Sequence, residues 1–216
     1  MKAFWMLGTL LLSAAGPALR AQAPPAPIEI KLAHGDAAET QTRDQLLRLL
    51  RTYDLNPWIF TRTLIIDSSP RTVPHSHPVL TLSTRHIKDD DLLLSTFVHE
   101  NLHHFLVQNR EKTEAAKKEL HAVFPKVPVG YPDGADSEDS GYEHLIVCYL
   151  EYRADKEIWG EQRAFQVVQF WMSDHYRWIY RQLLEAGYQI GPIVQKNGLI
   201  PGAPSEKPAA NPHSSQ

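Results

Sequence analysis

Residues 92–106 have the pattern of a helix that is apolar on nearly every side and still carries a cluster of ionisable residues, and this combination strongly limits the possible folds. The segment is rich in leucine, phenylalanine and valine, so a helix formed by it has to be buried. Within it lie His99, Glu100 and His103. Burying two imidazoles and a carboxylate without partners is costly, so these side chains need partners inside the protein. The sequence therefore predicts a buried helix with a polar site on one face.

The spacing of these residues is that of the H-E-x-x-H motif. His99 and His103 are four residues apart and lie on one face of a helix, so both can bind one metal ion. Zn²⁺ accepts imidazole nitrogen and prefers four ligands in a tetrahedron. Glu100 lies one position round the helix, where its carboxylate reaches a water on the ion rather than the ion itself. The motif thus predicts a Zn²⁺ site with Glu100 as the general base that takes a proton from the zinc-bound water.

The helix around this motif, residues 95–105, resembles the active-site helix of the zincin metallopeptidases. In the metzincin branch a glycine and a histidine follow the motif, but this chain has Leu106 and Asn109 at those places. In the gluzincin branch, which includes the thermolysin-like enzymes, a later helix supplies a glutamate ligand and an aspartate four residues on. Glu151 and Asp155 match that pattern. The resemblance is therefore to the gluzincin branch.

The resemblance implies a set of roles for residues of two helices. His99, His103 and Glu151 bind the zinc ion, and Asp155 accepts a hydrogen bond from zinc-bound His99 and fixes its tautomer. His144 lies seven residues before Glu151 and hence on the same helix face. It is an alternative ligand, a donor to the oxyanion formed in peptide hydrolysis, or a capped surface histidine.

The sequence does not assign a single role to several further polar residues. Thermolysin-like enzymes place their oxyanion donor after the glutamate ligand, where this chain has His175, Tyr176 and Tyr180, and the sequence does not choose among them. In the proline-rich loop before residue 78, His75 and His77 form an H-x-H pair that is either a second metal site or simply exposed.

Hydrophobic periodicity predicts an α+β fold that is mostly helical, with a small sheet. The resemblance implies that this fold is zincin-like and that its two zinc-bearing helices pack near each other at a cleft. The predicted helices start near residue 42, near 90, at 111, at 140 and after 160. The predicted strands are 58–67 and 79–84. By resemblance to zincins, the second strand would hold an extended substrate by backbone pairing.

Capping signals mark the ends of three predicted helices. Asp89 is an N-cap before the motif helix, and Asp90 and Asp91 add first-turn charge. Ser140 and a glutamate three residues later form an S-x-x-E capping box at the start of the second zinc-bearing helix. Gly187 is the predicted C-cap of the last helix.

The first 23 residues have the order of an export signal. Lys2 is followed by the apolar run 7–15 and then by small residues, with cleavage predicted between about residues 21 and 27. The apolar run is too short for a transmembrane span. The alternative is an uncleaved N-terminal anchor. We expect an exported protein, periplasmic or secreted, without stable membrane association once the signal is removed.

Composition supports one folded domain, with residues 24–27 as a linker, 28–200 as the metallopeptidase domain and 201–216 as a disordered tail. The chain has 216 residues, a net charge of -3 and no basic block, so nucleic acid is not an expected partner. Its single cysteine, Cys148, precludes an internal disulfide and lies in an apolar stretch, where it is predicted to be a small core residue.

The combined prediction is an exported zinc metallopeptidase that hydrolyses bonds in a peptide or protein substrate by a zinc-activated water. The first alternative is a zincin-like zinc-binding protein without turnover, and the second is a helical exported protein without metal. An intact Glu100 argues against the first alternative, because structural zinc needs no base.

Overall fold

Residues 27–202 are described by a computed structural model, and they form a mostly helical α+β fold with one small sheet. The strands are β1 (Glu29–Leu32), β2 (Thr63–Asp67) and β3 (Leu80–Ser83). The helices are α1 (Ala37–Thr52), α2 (Asp90–Gln108), α3 (Arg110–Val123), α4 (Glu138–Trp159), α5 (Glu161–Asp174) and α6 (Arg177–Lys196). The predicted fold class is confirmed at this level. The predicted signal sequence, 1–23, and the tail beyond residue 202 lie outside the described residues.

The sheet is parallel and has the strand order β1-β2-β3. In this register Ile66 of β2 lies between Leu32 of β1 and Leu82 of β3. Ile66 and Leu82 are fully buried and belong to an apolar cluster to which α1 and α2 also contribute. β1 is missing from the sequence-based prediction because a four-residue strand with half of its residues exposed has only a weak local pattern.

The segment between α1 and β2 contains less strand than predicted. Residues Asn56–Trp58 form one turn of 3-10 helix, and β2 begins only at Thr63. In between, the backbone amides of Phe60 and Thr61 donate to the side-chain oxygen of Asn101 on α2, at 2.9 and 3.1 Å. This distant side chain satisfies amides that a longer strand would have paired within the sheet, so the segment is held against α2.

Helix α2 is apolar on nearly every side because it lies between the two apolar clusters of the protein. Phe97 belongs to the cluster beneath the sheet, whereas Val98 and Leu102 belong to the larger cluster formed among the helices. The predicted N-cap is confirmed, since the Asp89 side chain accepts a hydrogen bond from the Leu92 amide at 3.0 Å. The buried helix inferred from composition is thus the central element of the fold.

Helix α4 begins earlier than the predicted capping box. Ser137 is the N-cap, and its Oγ accepts a hydrogen bond from the backbone amide of Ser140 at 3.1 Å. Ser140 therefore lies inside the helix, and its predicted capping box with Glu143 is wrong. The Glu143 carboxylate instead lies 2.7 Å from Nδ1 of His103 on α2. A side chain assigned to the helix start thus belongs to the polar site.

The C-terminal region is two helices that continue past the predicted end. His175 and Tyr176 separate α5 from α6, and Tyr176 adopts a left-handed backbone conformation with φ of 48°. Helix α6 loses helical geometry at Ala186 and then continues to Lys196. Gly187 therefore lies inside α6, and its predicted role as a C-cap is wrong.

Gly134→Ala is expected to lower the free energy of unfolding by about 1–3 kcal/mol, as overpacking does. A Cβ at this position would lie 1.8 Å from the carbonyl oxygen of Pro128, so backbone would have to move. Gly187→Ala is the matched control, because its Cβ would meet no atom within 4 Å. Alanine is also the better helix former there, by about 0.5–1 kcal/mol. Urea denaturation measures both changes, and a Gly134→Ala protein as stable as wild type would contradict the close approach of Gly134 to Pro128 within the α3–α4 loop.

Candidate metal centre

Three histidines from two helices converge in the wall of a large cavity. His99 and His103 of α2 and His144 of α4 have ligand nitrogens within 4.8 Å of one another. The ring centroids of His99 and His103 are 5.1 Å apart, and the ring of His144 lies 5.6 Å from the first and 4.9 Å from the second. One turn of α2 accounts for the first pair, whereas packing of α4 against α2 supplies the third imidazole.

Each of the three histidines has its Nδ1 atom beside a hydrogen-bond acceptor. The pairs are His99 with Glu151 Oε2 at 2.8 Å, His103 with Glu143 Oε1 at 2.7 Å, and His144 with the Ser140 carbonyl oxygen at 2.7 Å. An Nδ1 held in this way carries the proton, so Nε2 keeps its lone pair for a metal ion. Burial lowers the pKa of His99 and His144 well below the usual value, which keeps both imidazoles neutral.

Glu151, the ligand implied by the family resemblance, lies behind His99 and contacts its Nδ1. A second group of potential ligands within 4.8 Å consists of His99, Cys148 and Glu151, and His103 is not part of it. Glu151 thus makes the contact to His99 that the resemblance implies for Asp155. The structure places Asp155 one layer further out, where its Oδ2 lies 3.2 Å from a serine hydroxyl on α2.

Glu100 lies at the cavity surface next to the histidine cluster, with only 6% of its surface exposed. Burial raises the pKa of this carboxyl to about 7, against an opposing effect from nearby His103. A general base works best when its pKa is close to the working pH. A carboxyl group with this pKa can both accept and release a proton at neutral pH within the cavity.

The cavity has a volume of about 720 Å³, which is in the range of pockets that bind small molecules or short peptide segments. The three histidines and Glu100 line it together with loops that precede β3 and α4. Two exposed apolar side chains from these loops, Val73 and Tyr131, also line it and are 72% and 79% exposed. The site is thus open to solvent and bordered by apolar groups that a substrate can cover.

The outer edge of β3 is partly occupied by the chain itself. The backbone of His75 pairs with Thr81 in an antiparallel bridge, with N–H···O distances of 3.1 and 2.8 Å in the two directions. The predicted strand 79–84 was expected to offer this edge to a substrate. The segment 73–76 instead lies between that edge and solvent and lines the cavity.

The H-x-H pair is engaged in holding this loop. His75 Nδ1 bonds to the Val73 carbonyl oxygen at 2.9 Å, and His77 Nδ1 bonds to the Ser76 hydroxyl at 2.9 Å. The His77 ring also packs on His104 with centroids 4.4 Å apart. Among the described residues, neither histidine of the pair belongs to a group with metal-ligand spacing.

Two of the three residues considered as oxyanion donors have their donor group directed elsewhere. Tyr180 is buried, and its hydroxyl donates to Glu151 Oε2 at 2.8 Å, so this group is already used. His175 lines the cavity, but its Nδ1 lies 2.8 Å from the acceptor Asp174 Oδ2, so in a neutral imidazole the remaining Nε2 atom accepts rather than donates.

Tyr176 is the residue closest to the histidine cluster from the α5–α6 connection. Its ring centroid lies 4.3 Å from that of His144 and 6.4 Å from that of His99, with the latter ring nearly parallel. Burial raises its pKa, so the hydroxyl keeps its proton and can donate. A left-handed conformation at a tyrosine is strained, and such strain is concentrated at functional sites.

A third group with metal-ligand spacing lies at the start of α1 and is better explained as a helix cap. It comprises His34, Glu39 and Asp67. The Glu39 carboxylate accepts hydrogen bonds from the backbone amides of His34, Gly35 and Ser68 at 2.9, 2.7 and 3.0 Å. The partial positive charges of these N–H groups stabilise the negative charge of the Glu39 carboxylate.

Sequence reasoning missed Ser95 and Trp171 behind the histidines, and it considered Tyr180 only as an oxyanion donor. Ser95, Trp171 and Tyr180 all contact one another or Glu151 in the buried interior. Ser95 could have been identified from the sequence. A hydroxyl on a helix that is buried on all sides must find a hydrogen-bond partner, and Ser95 lies one turn before His99 on the same helix face.

No protein-family model, curated protein or solved structure matches the chain. The function is therefore inferred from the chemistry of the site itself. The site combines three clustered imidazoles whose Nδ1 atoms each lie beside an acceptor, a carboxyl group whose pKa is about 7, and an open cavity.

Proposed function

We propose that the protein is a zinc-dependent peptidase in which His99, His103 and His144 bind the metal and Glu100 is the general base. The observation that carries the proposal is that the Nδ1 atom of each histidine is held by an acceptor, which leaves three Nε2 atoms for one ion. Three protein ligands and an open fourth position are typical of catalytic zinc. The zincin resemblance of the motif helix supports the same reaction.

His144 is favoured over Glu151 as the third ligand because of the direction in which His99 presents its nitrogens. Nδ1 and Nε2 of one imidazole point away from each other, so an ion on Nε2 cannot also be reached by a carboxylate at Nδ1. Glu151 lies at Nδ1, whereas His144 shares its ligand spacing with both His99 and His103. Glu151 and Glu143 then act as outer partners that orient two of the ligands.

A bound zinc ion would supply a water of lowered pKa and polarise the carbonyl group of the scissile bond. Glu100 accepts the proton of the attacking water and later delivers it to the leaving amine. The Tyr176 hydroxyl is the donor available to the oxyanion. The exposed apolar side chains Val73 and Tyr131 line the same cavity and offer contacts to apolar groups of the substrate.

The proposed setting is the periplasm or the outside of the cell, and the proposed substrate is a peptide or protein. The support for export is the order of charge, apolar run and small residues in the predicted signal sequence, 1–23. None of the described helices is both long and apolar enough to span a membrane. Cys148 is buried, in keeping with its predicted role in the core.

Elemental analysis of the purified protein tests the proposal together with a peptide-library cleavage assay. We expect about one zinc per chain, cleavage that stops with a chelator, and recovery when zinc is added back. A folded protein that takes up no zinc would contradict the metal centre. Zinc uptake without any cleavage would favour the alternative of a zinc-binding protein without turnover.

A further inference from the structure

A chain of buried polar side chains continues behind His99 into the interior, beyond the groups that the proposed function uses. Glu151 Oε1 lies 2.5 Å from the hydroxyl of Ser95, and Asp155 Oδ2 lies 3.2 Å from the same hydroxyl. The indole nitrogen of Trp171 donates to this hydroxyl at 3.2 Å. All of these side chains are less than 4% exposed, so they are shielded from bulk solvent.

We propose that Ser95 and Asp155 are positioning residues for the metal centre, with Asp155 acting as a neutral acid that donates a hydrogen bond to Ser95. Ser95 in turn donates to Glu151, which is thereby held as the acceptor for His99 Nδ1. The role in metal binding rests on the proposed function, whereas the direction of the hydrogen bonds rests on the described geometry alone.

The hydrogen-bond directions follow from counting protons. A serine hydroxyl has one proton, and an indole nitrogen can only donate, so Ser95 accepts from Trp171. Ser95 can therefore donate to only one of its two carboxyl neighbours, and the other neighbour has to donate to it. One of Glu151 and Asp155 is accordingly a carboxylic acid.

The geometry assigns the charge to Glu151 and the proton to Asp155. The Ser95–Glu151 contact of 2.5 Å has the short length of a hydrogen bond to an ionised acceptor, whereas the Ser95–Asp155 contact is 3.2 Å. Glu151 also accepts from Tyr180 and faces His99 Nδ1, so it has three partners for its charge.

Asp155 has too few partners to be ionised in the interior. Its Oδ1 has no hydrogen-bond partner among the described residues, and a buried carboxylate with an empty oxygen is costly. Burial raises the pKa of Asp155 well above the usual value, and the negative charge of Glu151 raises it further. A neutral acid needs only the one donation that the geometry provides.

The hydrogen bond from Ser95 to Glu151 affects the orientation and tautomer of His99. If Ser95 did not occupy Oε1, the Glu151 carboxylate would lack a partner on that oxygen and could rotate away from Nδ1. The ring of His99 would then lose the acceptor that fixes its tautomer, and Nε2 would bind metal less well. Ser95 and Asp155 thus act on the metal through Glu151 without touching it.

Zinc affinity of purified variants, measured by competition with a chelator, tests the positioning role. Asp155→Asn keeps a donor in place of the acid and is expected to bind zinc within about twofold of wild type. Asp155→Ala and Ser95→Ala remove the donation and should weaken zinc binding by about tenfold. Glu157→Gln, an exposed carboxylate on the same helix, is the matched control and should change nothing. Asparagine as damaging as alanine at position 155 would overturn the proposal.

Infrared spectroscopy of the metal-free proteins at neutral pH tests the protonation of Asp155 directly. A buried carboxylic acid has a carbonyl band that a carboxylate lacks, and this band should be lost in Asp155→Asn but not in Glu157→Gln. Glu100 contributes equally to both spectra and cancels in the difference. If no band is lost, Asp155 is ionised and the proposal fails. If wild type takes up no zinc, the proposed function fails, and the infrared difference still decides whether Asp155 is the donor.

Discussion

Replacing Glu100 with glutamine is expected to lower peptide hydrolysis by a factor of about 100 or more, while the zinc content stays near that of wild type. Glutamine keeps the size and a hydrogen-bonding oxygen but cannot accept the proton of the attacking water. Glu100 neighbours His99 on α2 and lines the cavity, so the substitution removes the base without removing a ligand. Initial rates and zinc per chain, measured on the same preparation, provide the two readouts.

Glu157→Gln is the control for this experiment because it makes the same chemical change at a half-exposed position paired with Arg153. Its rate and zinc content should equal those of wild type. Thermal stability of Glu100→Gln should not fall, since a buried carboxylate is itself costly. Loss of zinc from Glu100→Gln would identify Glu100 as a ligand or a support of the site. Unchanged hydrolysis would place the activity elsewhere or in a contaminant.

His144→Ala is expected to weaken zinc binding by more than the roughly 10- to 100-fold that removal of an outer partner causes. Within residues 27–202, the imidazole is one of three that share ligand spacing, and a centre with two histidines is incomplete. Glu151→Gln should fall within that 10- to 100-fold range, because it keeps an oxygen for His99 Nδ1 but loses the charge. Competition with a chelator ranks the two variants on one scale.

The opposite ranking would restore the ligand set that the family resemblance implies. If Glu151→Gln and Glu151→Ala abolish zinc binding while His144→Ala retains it, Glu151 is the third ligand and His144 serves another role. Tyr176→Phe is a useful companion, since it keeps the ring beside His144 and removes only the hydroxyl. Its zinc affinity should stay at the wild-type value, which separates damage to packing from loss of a ligand.

The grouping of the two motif histidines with Glu100 was predictable from the sequence because all three residues lie on one helix. Positions four apart on a helix share a face whatever the rest of the fold does, so His99 and His103 had to lie together. The apolar character of the surrounding segment required its burial, and the aspartate before it supplied the N-cap that the structure contains. These are local properties, and a short stretch of sequence carries them completely.

Local signals were less dependable at the helix and strand boundaries. Ser137 and Ser140 are both good N-cap residues, and packing of α4 on α2 selected the first by directing Glu143 to His103. β1 exists because β2 pairs with it along its length, which its own short and half-exposed pattern does not reveal. In each of these cases the deciding partner is distant in the chain.

The two candidates for the third ligand could be placed on one helix face from the sequence, but the choice between them required the tertiary structure. His144 and Glu151 are seven residues apart, so helical periodicity places both on the face of α4 that meets α2 and cannot rank them. The docking of α4 places Glu151 at Nδ1 of His99 and His144 beside both motif histidines. Which of two residues on one face reaches a ligand depends on the height and rotation of the helix against its neighbour. Those quantities arise from packing between distant segments. Helical periodicity therefore fixes which residues share a face, whereas the contacts between individual atoms depend on how the helices dock.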